Sequence, residues 1–171
     1  MKPKRQEELI NLYLSSLDGE HAAPFRQLIE ALDTLGYSPQ KVRNSLSFKH
    51  EAHNKQLAKL GIRAVKSPRP FFALRFSACR DYPKRFTDIV ERNIVKYPHK
   101  TAGCTEGKCN FCAGAPETHV YVHTFPNGET KAHCGAYALE IPNISAVDIP
   151  AIKKLIAEEH EYLMKHEAYR T

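Results

Sequence analysis

The apolar residues of the chain fall into helical runs at both ends and alternating runs between them. Leu9, Ile10, Tyr13, Leu14 and Leu17 keep a helical period over residues 4–17, and Gly19 ends the run. Phe25, Leu28, Ile29, Leu32 and Leu35 repeat the period in a helix expected to start near Pro24 and stop at Gly36. Residues 1–36 are thus expected to form a helical pair. A third helix is expected after Asp81-Tyr82-Pro83, carrying Phe86, Ile89, Val90, Ile94 and Val95 and closed by Tyr97-Pro98. The last spans 148–168, with Asp148 as N-cap, Pro150 in its first turn, and a stripe of Ile149, Ile152, Leu155, Ile156, Tyr162 and Leu163.

Residues 38–62 fit two patterns. A helix from Ser38-Pro39 would carry Val42, Leu46, His53, Leu57 and Leu60. A hairpin would alternate Leu46 and Phe48, turn at 50–54, and alternate again at Ala58, Leu60 and Ile62. The expectation favoured here is a short helix or turn at 39–44 followed by the hairpin. Residues 71–76 are apolar on both faces, as in a central strand. Residues 119–125 and 131–141 are expected to be strands joined through Pro126-Asn127-Gly128-Glu129. Helices flanking a mainly antiparallel sheet make an α+β fold, and 171 residues suit a single domain over 1–171.

Composition adds a site. Four of the five cysteines lie in Cys104-x4-Cys109-x2-Cys112 and, after x21, Cys134; the fifth is Cys79. A Cys-x2-Cys turn points two thiolates at one ion, which suits tetrahedral zinc, and four cysteines suit a closed structural site. Cys104, Cys109, Cys112 and Cys134 are therefore the expected ligands, stapling the loop and hairpin of residues 98–141. The spacing also matches plant-type [2Fe–2S] ferredoxins, so an iron–sulfur cluster is the alternative cofactor. With Asn127-Gly128 as a two-residue turn, Tyr121 falls opposite Cys134, and His119 and His123 share the face of Cys134 while His133 points away. His119 or His123 is then a substitute ligand or an orienting neighbour, with His99 a further candidate.

Charge raises a second class of function. The net charge is +6, with 12 Lys and Arg against 7 Asp and Glu in residues 1–70, and 5 against 8 in the last 55. Lys41, Arg43, Lys49, Lys55, Lys59, Arg63, Lys66 and Arg69 face only Glu51 within 41–69, and Lys55, Lys59 and Arg63 would share one strand face. Residues 35–46 resemble the turn and recognition helix of a helix-turn-helix, which would send Gln40, Lys41, Arg43 and Asn44 to the major groove. The expectation is weak, non-specific nucleic-acid binding at most.

No catalytic signature is complete. His50-Glu51-Ala52-His53 lacks the i,i+4 spacing of a zinc protease, and no Gly-x-Ser-x-Gly occurs. No apolar run reaches the roughly 18 residues of a membrane span. Glu7 and Glu8 interrupt the segment after the basic start, so no signal peptide is expected and the expected location is the cytoplasm. The expected function is a zinc-stabilised, non-catalytic binding module for a small molecule or a protein partner.

Overall fold

A computed structural model of the protein describes residues 4–64, 66–112 and 114–168; residues 1–3 of the basic start and Ala113 of the cysteine loop lie outside it. The elements in order are α1 (Lys4–Ser15), α2 (Gly19–Thr34), β1 (Tyr37–Val42), β2 (Ser45–His50), β3 (Gln56–Arg63), β4 (Arg69–Leu74), α3 (Lys84–Lys96), β5 (Val120–Thr124), β6 (Thr130–Cys134), α4 (Gly135–Ala138), β7 (Leu139–Pro142) and α5 (Ile149–Ala168). One antiparallel sheet has the order β1-β2-β3-β4-β7, and β5-β6 form a separate two-stranded sheet. The fold is mixed α+β. Among the described residues no helix is long and apolar enough to cross a membrane.

Strand pairing sorts the large sheet into two faces. Leu46, Leu60, Phe72 and Ile141 stand opposite one another across four strands, and Phe48, Ala58, Leu74 and Leu139 form the next row. Both rows join one core with Tyr13 of α1, Leu28 of α2, Val90 of α3 and Ile152 of α5. Full burial of a Leu or Phe side chain contributes about 1.5–3 kcal/mol, so these rows fix the register. One row of opposite parity is mostly polar, Ser47, Lys59, Ala73 and Glu140, and Arg63 of the same face reaches Glu140.

Three expectations give way. The second helix starts at Gly19, because the Asp18 carboxylate accepts the His21 N–H as an N-cap, so Pro24 lies inside it. Residues 39–44 are not helical. They lie in β1 and a two-residue turn to β2, with Arg43 at φ 54, so the recognition-helix reading of 35–46 is replaced by a hairpin. The strand expected over 131–141 breaks at Gly135. A Cβ on Gly135 would lie 2.6 Å from the carbonyl oxygens of both Phe76 and His119. Gly135 N donates to His119 O at 2.9 Å and Phe76 N donates to Gly135 O at 3.2 Å. The chain therefore leaves the small sheet, makes the single turn α4, and re-enters the large sheet as β7.

A histidine cluster ties β1 to the β2–β3 turn and to α5. Tyr37 Oη lies 3.2 Å from His53 Nε2 and 3.1 Å from His160 Nδ1. His53 Nδ1 accepts the Lys55 N–H at 3.1 Å, so the neutral ring carries its proton on Nε2 and donates to Tyr37, which donates onward to His160. His50 stacks on His53 at 5.0 Å, and its Nδ1 accepts the Ala52 N–H. Burial, then the neighbouring His50, holds His160 below the usual histidine range, with Glu161 opposing. From the same helix, Glu159 faces Tyr37.

Two outcomes follow from these contacts. A His160 depressed in the folded state binds fewer protons there than when unfolded. Its stabilisation is full above about pH 6.5, the ordinary histidine value, and is lost as pH falls below it. Urea unfolding from pH 8 to 5 should show that loss, and His160→Asn, which offers an acceptor but takes no proton, should show a smaller one. Equal slopes would contradict the assignment. Gly135→Ala must push apart two backbone oxygens and should lower stability by roughly 2 kcal/mol or more, read as a fall in melting temperature.

Candidate functional site

The cysteine segment is a loop pinned at its start to β6. Thr101 bridges to His133, and Ala102 N donates to Ala132 O at 3.4 Å. The 3-10 turn Gly103–Glu106 then carries Cys104, with Thr105 Oγ1 donating to Ala102 O at 2.7 Å. Gly107 ends the turn at φ 71, a left-handed conformation in which glycine is unstrained, and Lys108 N donates back to Gly103 O at 2.8 Å. Cys109 and Cys112 follow. Phe111 between them is 97 % exposed. Cys134 is the last residue of β6.

Burial pushes the Cys104 thiol up, and the charges of Cys109 and Cys112 add to it. Burial also raises Cys134, with Cys112 and Cys104 raising it further and Arg75 pulling the other way. All four are partly exposed and unbridged, whereas Cys79 is buried. Among the described residues, no three or more His, Cys, Asp or Glu side chains are gathered closely enough to hold a metal ion. A zinc ion here requires residues 103–112 to draw their thiols inward.

The register of the β5–β6 hairpin differs from the expected one by a residue. Val120 faces Cys134, and Tyr121 faces His133. Pro126 makes the difference. With Phe125 N donating to Glu129 O, Gly128 N to Phe125 O and Gly128 at φ 83, the loop is three residues, 126–128, in place of two. A one-residue slip turns every side chain over. Cys134 therefore shares a face with Val120, and His133 joins Tyr121 and His123. His123 Nε2 lies 3.0 Å from Glu91 Oε1 of α3. His119 is depressed by burial, then by Arg75 and Lys55. His99 is exposed beside Tyr97.

Three buried charged residues escaped the sequence reading. Lys55, expected on a basic face with Lys59 and Arg63, is 3 % exposed, and Arg75 is 9 % exposed. Arg75 Nη1 donates to Cys112 Sγ at 3.3 Å and its Nε to Gln56 O at 2.7 Å. Glu159 is 0 % exposed. It accepts the backbone N–H of Ser77 at 3.0 Å and of Ala78 at 2.9 Å, the Ser77 hydroxyl, and the Cys79 thiol at 3.5 Å. Burial, then Glu159, pushes that thiol far up, so Cys79 behaves as an inert small hydrophobe. One signal marked Glu159: it continues the stripe of Ile152, Ile156 and Leu163.

Two clefts flank these features. One of about 500 Å³ borders the cysteine loop, between Thr105, Arg80, Val122, Tyr162 and the 77–78 backbone. The Arg80 guanidinium lies over the Tyr121 ring at 5.2 Å and donates to Ser77 O and Cys79 O. The other, about 700 Å³, lies between α1, α2 and β1, with Glu7, Glu30 and Arg26 on its walls. Comparison of the chain with protein-family models, with curated proteins and with solved structures finds no match.

Proposed function

We propose that the protein is a zinc-stapled, non-catalytic binding module, in which Cys104, Cys109, Cys112 and Cys134 hold one zinc ion and the stapled loop forms one wall of the cleft beside it. The observation that supports the reading is the spacing Cys104-x4-Cys109-x2-Cys112-x21-Cys134, together with the bridge of Thr101 to His133, which ties the start of the cysteine loop to the strand that ends in Cys134. The donor set fits the ion: four thiolates satisfy tetrahedral zinc without an open coordination position. The loop needs such a clamp. Among the described residues, the backbone hydrogen bonds of residues 103–108 are all to carbonyls within five residues along the chain, and Phe111 gives the loop no apolar anchor. Metal binding energy at such a site is folding energy.

The smaller cleft is the ligand site in this reading, although the other is larger. It alone is walled by a residue next to a metal ligand, Thr105, so fixing the loop fixes its shape. Its walls combine apolar Val120 and Val122 with Arg80 and Tyr162, which suits a small amphipathic molecule or a short segment of a partner. Arg63 on the large sheet is already matched to Glu140, which leaves the basic stretch less to offer nucleic acid.

X-ray fluorescence of freshly purified, reduced protein should show one zinc per chain; iron in its place would select the cluster, and neither metal would refute the site. Cys109→Ser and Cys112→Ser should each lose the metal and lower the melting temperature. Cys79→Ser should keep it. A chain that loses metal with Cys79→Ser but retains it with Cys134→Ser has a different fourth ligand.

A further inference from the structure

The smaller cleft has Arg80 as the one cation and Glu117 as the one anion among the described residues that line it. The two are not paired with each other, and neither enters an ion pair elsewhere among the described residues. Arg80 is held in place all the same. Its Nη1 donates to Ser77 O and Cys79 O, both at 2.9 Å, and its guanidinium lies over the Tyr121 ring. Those bonds use one corner of the fork. The edge formed by Nε and Nη2, which can meet a carboxylate with two parallel bonds, has no acceptor among the described residues. A guanidinium already pinned loses less freedom when an anion arrives.

The hydroxyl protons of the cleft are committed. Ser77 gives its own to Glu159, Thr105 to Ala102 O and Tyr162 to Glu117 O. The N–H groups of Ser77 and Ala78 also go to Glu159. Hydroxyl lone pairs and the Glu117 carboxylate remain, and these suit a ligand that donates. Burial raises the Tyr162 hydroxyl, Glu117 and then Glu159 raise it further, and Arg80 opposes them, so both cleft charges reach this one side chain. Pro116, Val120 and Val122 supply the apolar wall.

We infer that this cleft binds a free α-amino acid with an apolar side chain, its carboxylate on Arg80, its ammonium on the Glu117 side and its side chain against Val120 and Val122. The inference rests on the reading of this cleft as the ligand site and needs no metal. One guanidinium balances one carboxylate, whereas a phosphate dianion would leave a negative charge unmatched near Glu117. An internal segment of a partner chain offers neither charge and would leave Arg80 and Glu117 as they are. A zwitterion with an apolar side chain matches both charges and the valines together.

The test is isothermal titration calorimetry of the full chain with L-valine, L-leucine and L-phenylalanine. The tightest binder is then compared with its deaminated acid, its decarboxylated amine and its N-acetyl amide, which lacks both charges. Removing either charge from the ligand should weaken binding by about tenfold or more, the contribution of a hydrogen bond to a charged group. Arg80→Gln and Glu117→Gln should each weaken the amino acid by a similar factor, with circular dichroism confirming that the variants are folded. Arg26→Gln, on the wall of the larger cleft, should leave the affinity unchanged. Should Arg80→Gln fail to fold, Glu117→Gln decides the question, since its side chain is exposed and the Tyr162 bond goes to its backbone. No binding of any of the three amino acids would overturn the inference. Equal binding of the N-acetyl amide would do the same, as would an affinity lost with Arg26→Gln but kept with Glu117→Gln. Zinc content measured on the same sample separates the two readings. Amino-acid binding by a metal-free chain upholds this inference and refutes the zinc staple, whereas zinc without binding upholds the staple and refutes the inference.

Discussion

The carboxylate of Glu159 is fully buried, and the middle of the molecule is arranged around that. Two backbone N–H groups, a hydroxyl and a thiol converge on it from residues 77–79. Each donor left unmatched in such a place would cost about 1–3 kcal/mol, so the chain between β4 and α3 has little choice of path. That path determines where Arg75 leaves the sheet and where Arg80 meets Tyr121. The same helix brings His160 to Tyr37 and sends the Tyr162 hydroxyl to Glu117 O at 2.9 Å. One buried charge therefore aligns α5 with the sheet, the histidine cluster and the approach to the cysteine loop.

What could be read in the sequence was what burial alone decides. The helical stripes, the central position of residues 71–74 and the β2–β3 hairpin all follow from apolar spacing, and the structure has them. Residues 39–44 failed because a Ser-Pro start and scattered apolar positions suit a helix as well as an edge strand. The deciding contacts, Pro39 with Phe48 and Lys41 with Leu46, are between strands. The hairpin register failed on one residue. Asn127-Gly128 is a strong two-residue signal, but Pro126 supplies the fixed φ of a three-residue loop, and Gly128 then takes the left-handed position.

The cysteine pattern stands out in the sequence, but among the described residues the structure brings no three possible ligands together, and the surroundings of the loop could not be read at all. Cysteine spacing marks a segment whose chemistry can be asked about directly. The identity of the residues around it depends on which side chains β3 and β4 present at one end, and spacing within a strand does not carry that. Lys55 shows the limit: an even offset from Lys59 and Arg63 places it with them only if the strand runs straight through, and the register shift at Phe48/Lys49 marks where it does not.

The route of the chain through Gly135 also bears on the order of assembly. The pairings among β1, β2, β3 and β4 are between neighbours in sequence, and their loops are short. The last strand of the large sheet, β7, pairs with β4 only after the chain has passed through α3, the cysteine loop and the small hairpin. Contacts between sequence-distant strands form more slowly, because a longer segment must first be closed. Until that happens β4 has a free edge, and Phe72 and Leu74 lack the partners Ile141 and Leu139. The interval before β7 docks is therefore one in which β4, a buried interior strand in the finished sheet, is open to a second copy of the nascent chain.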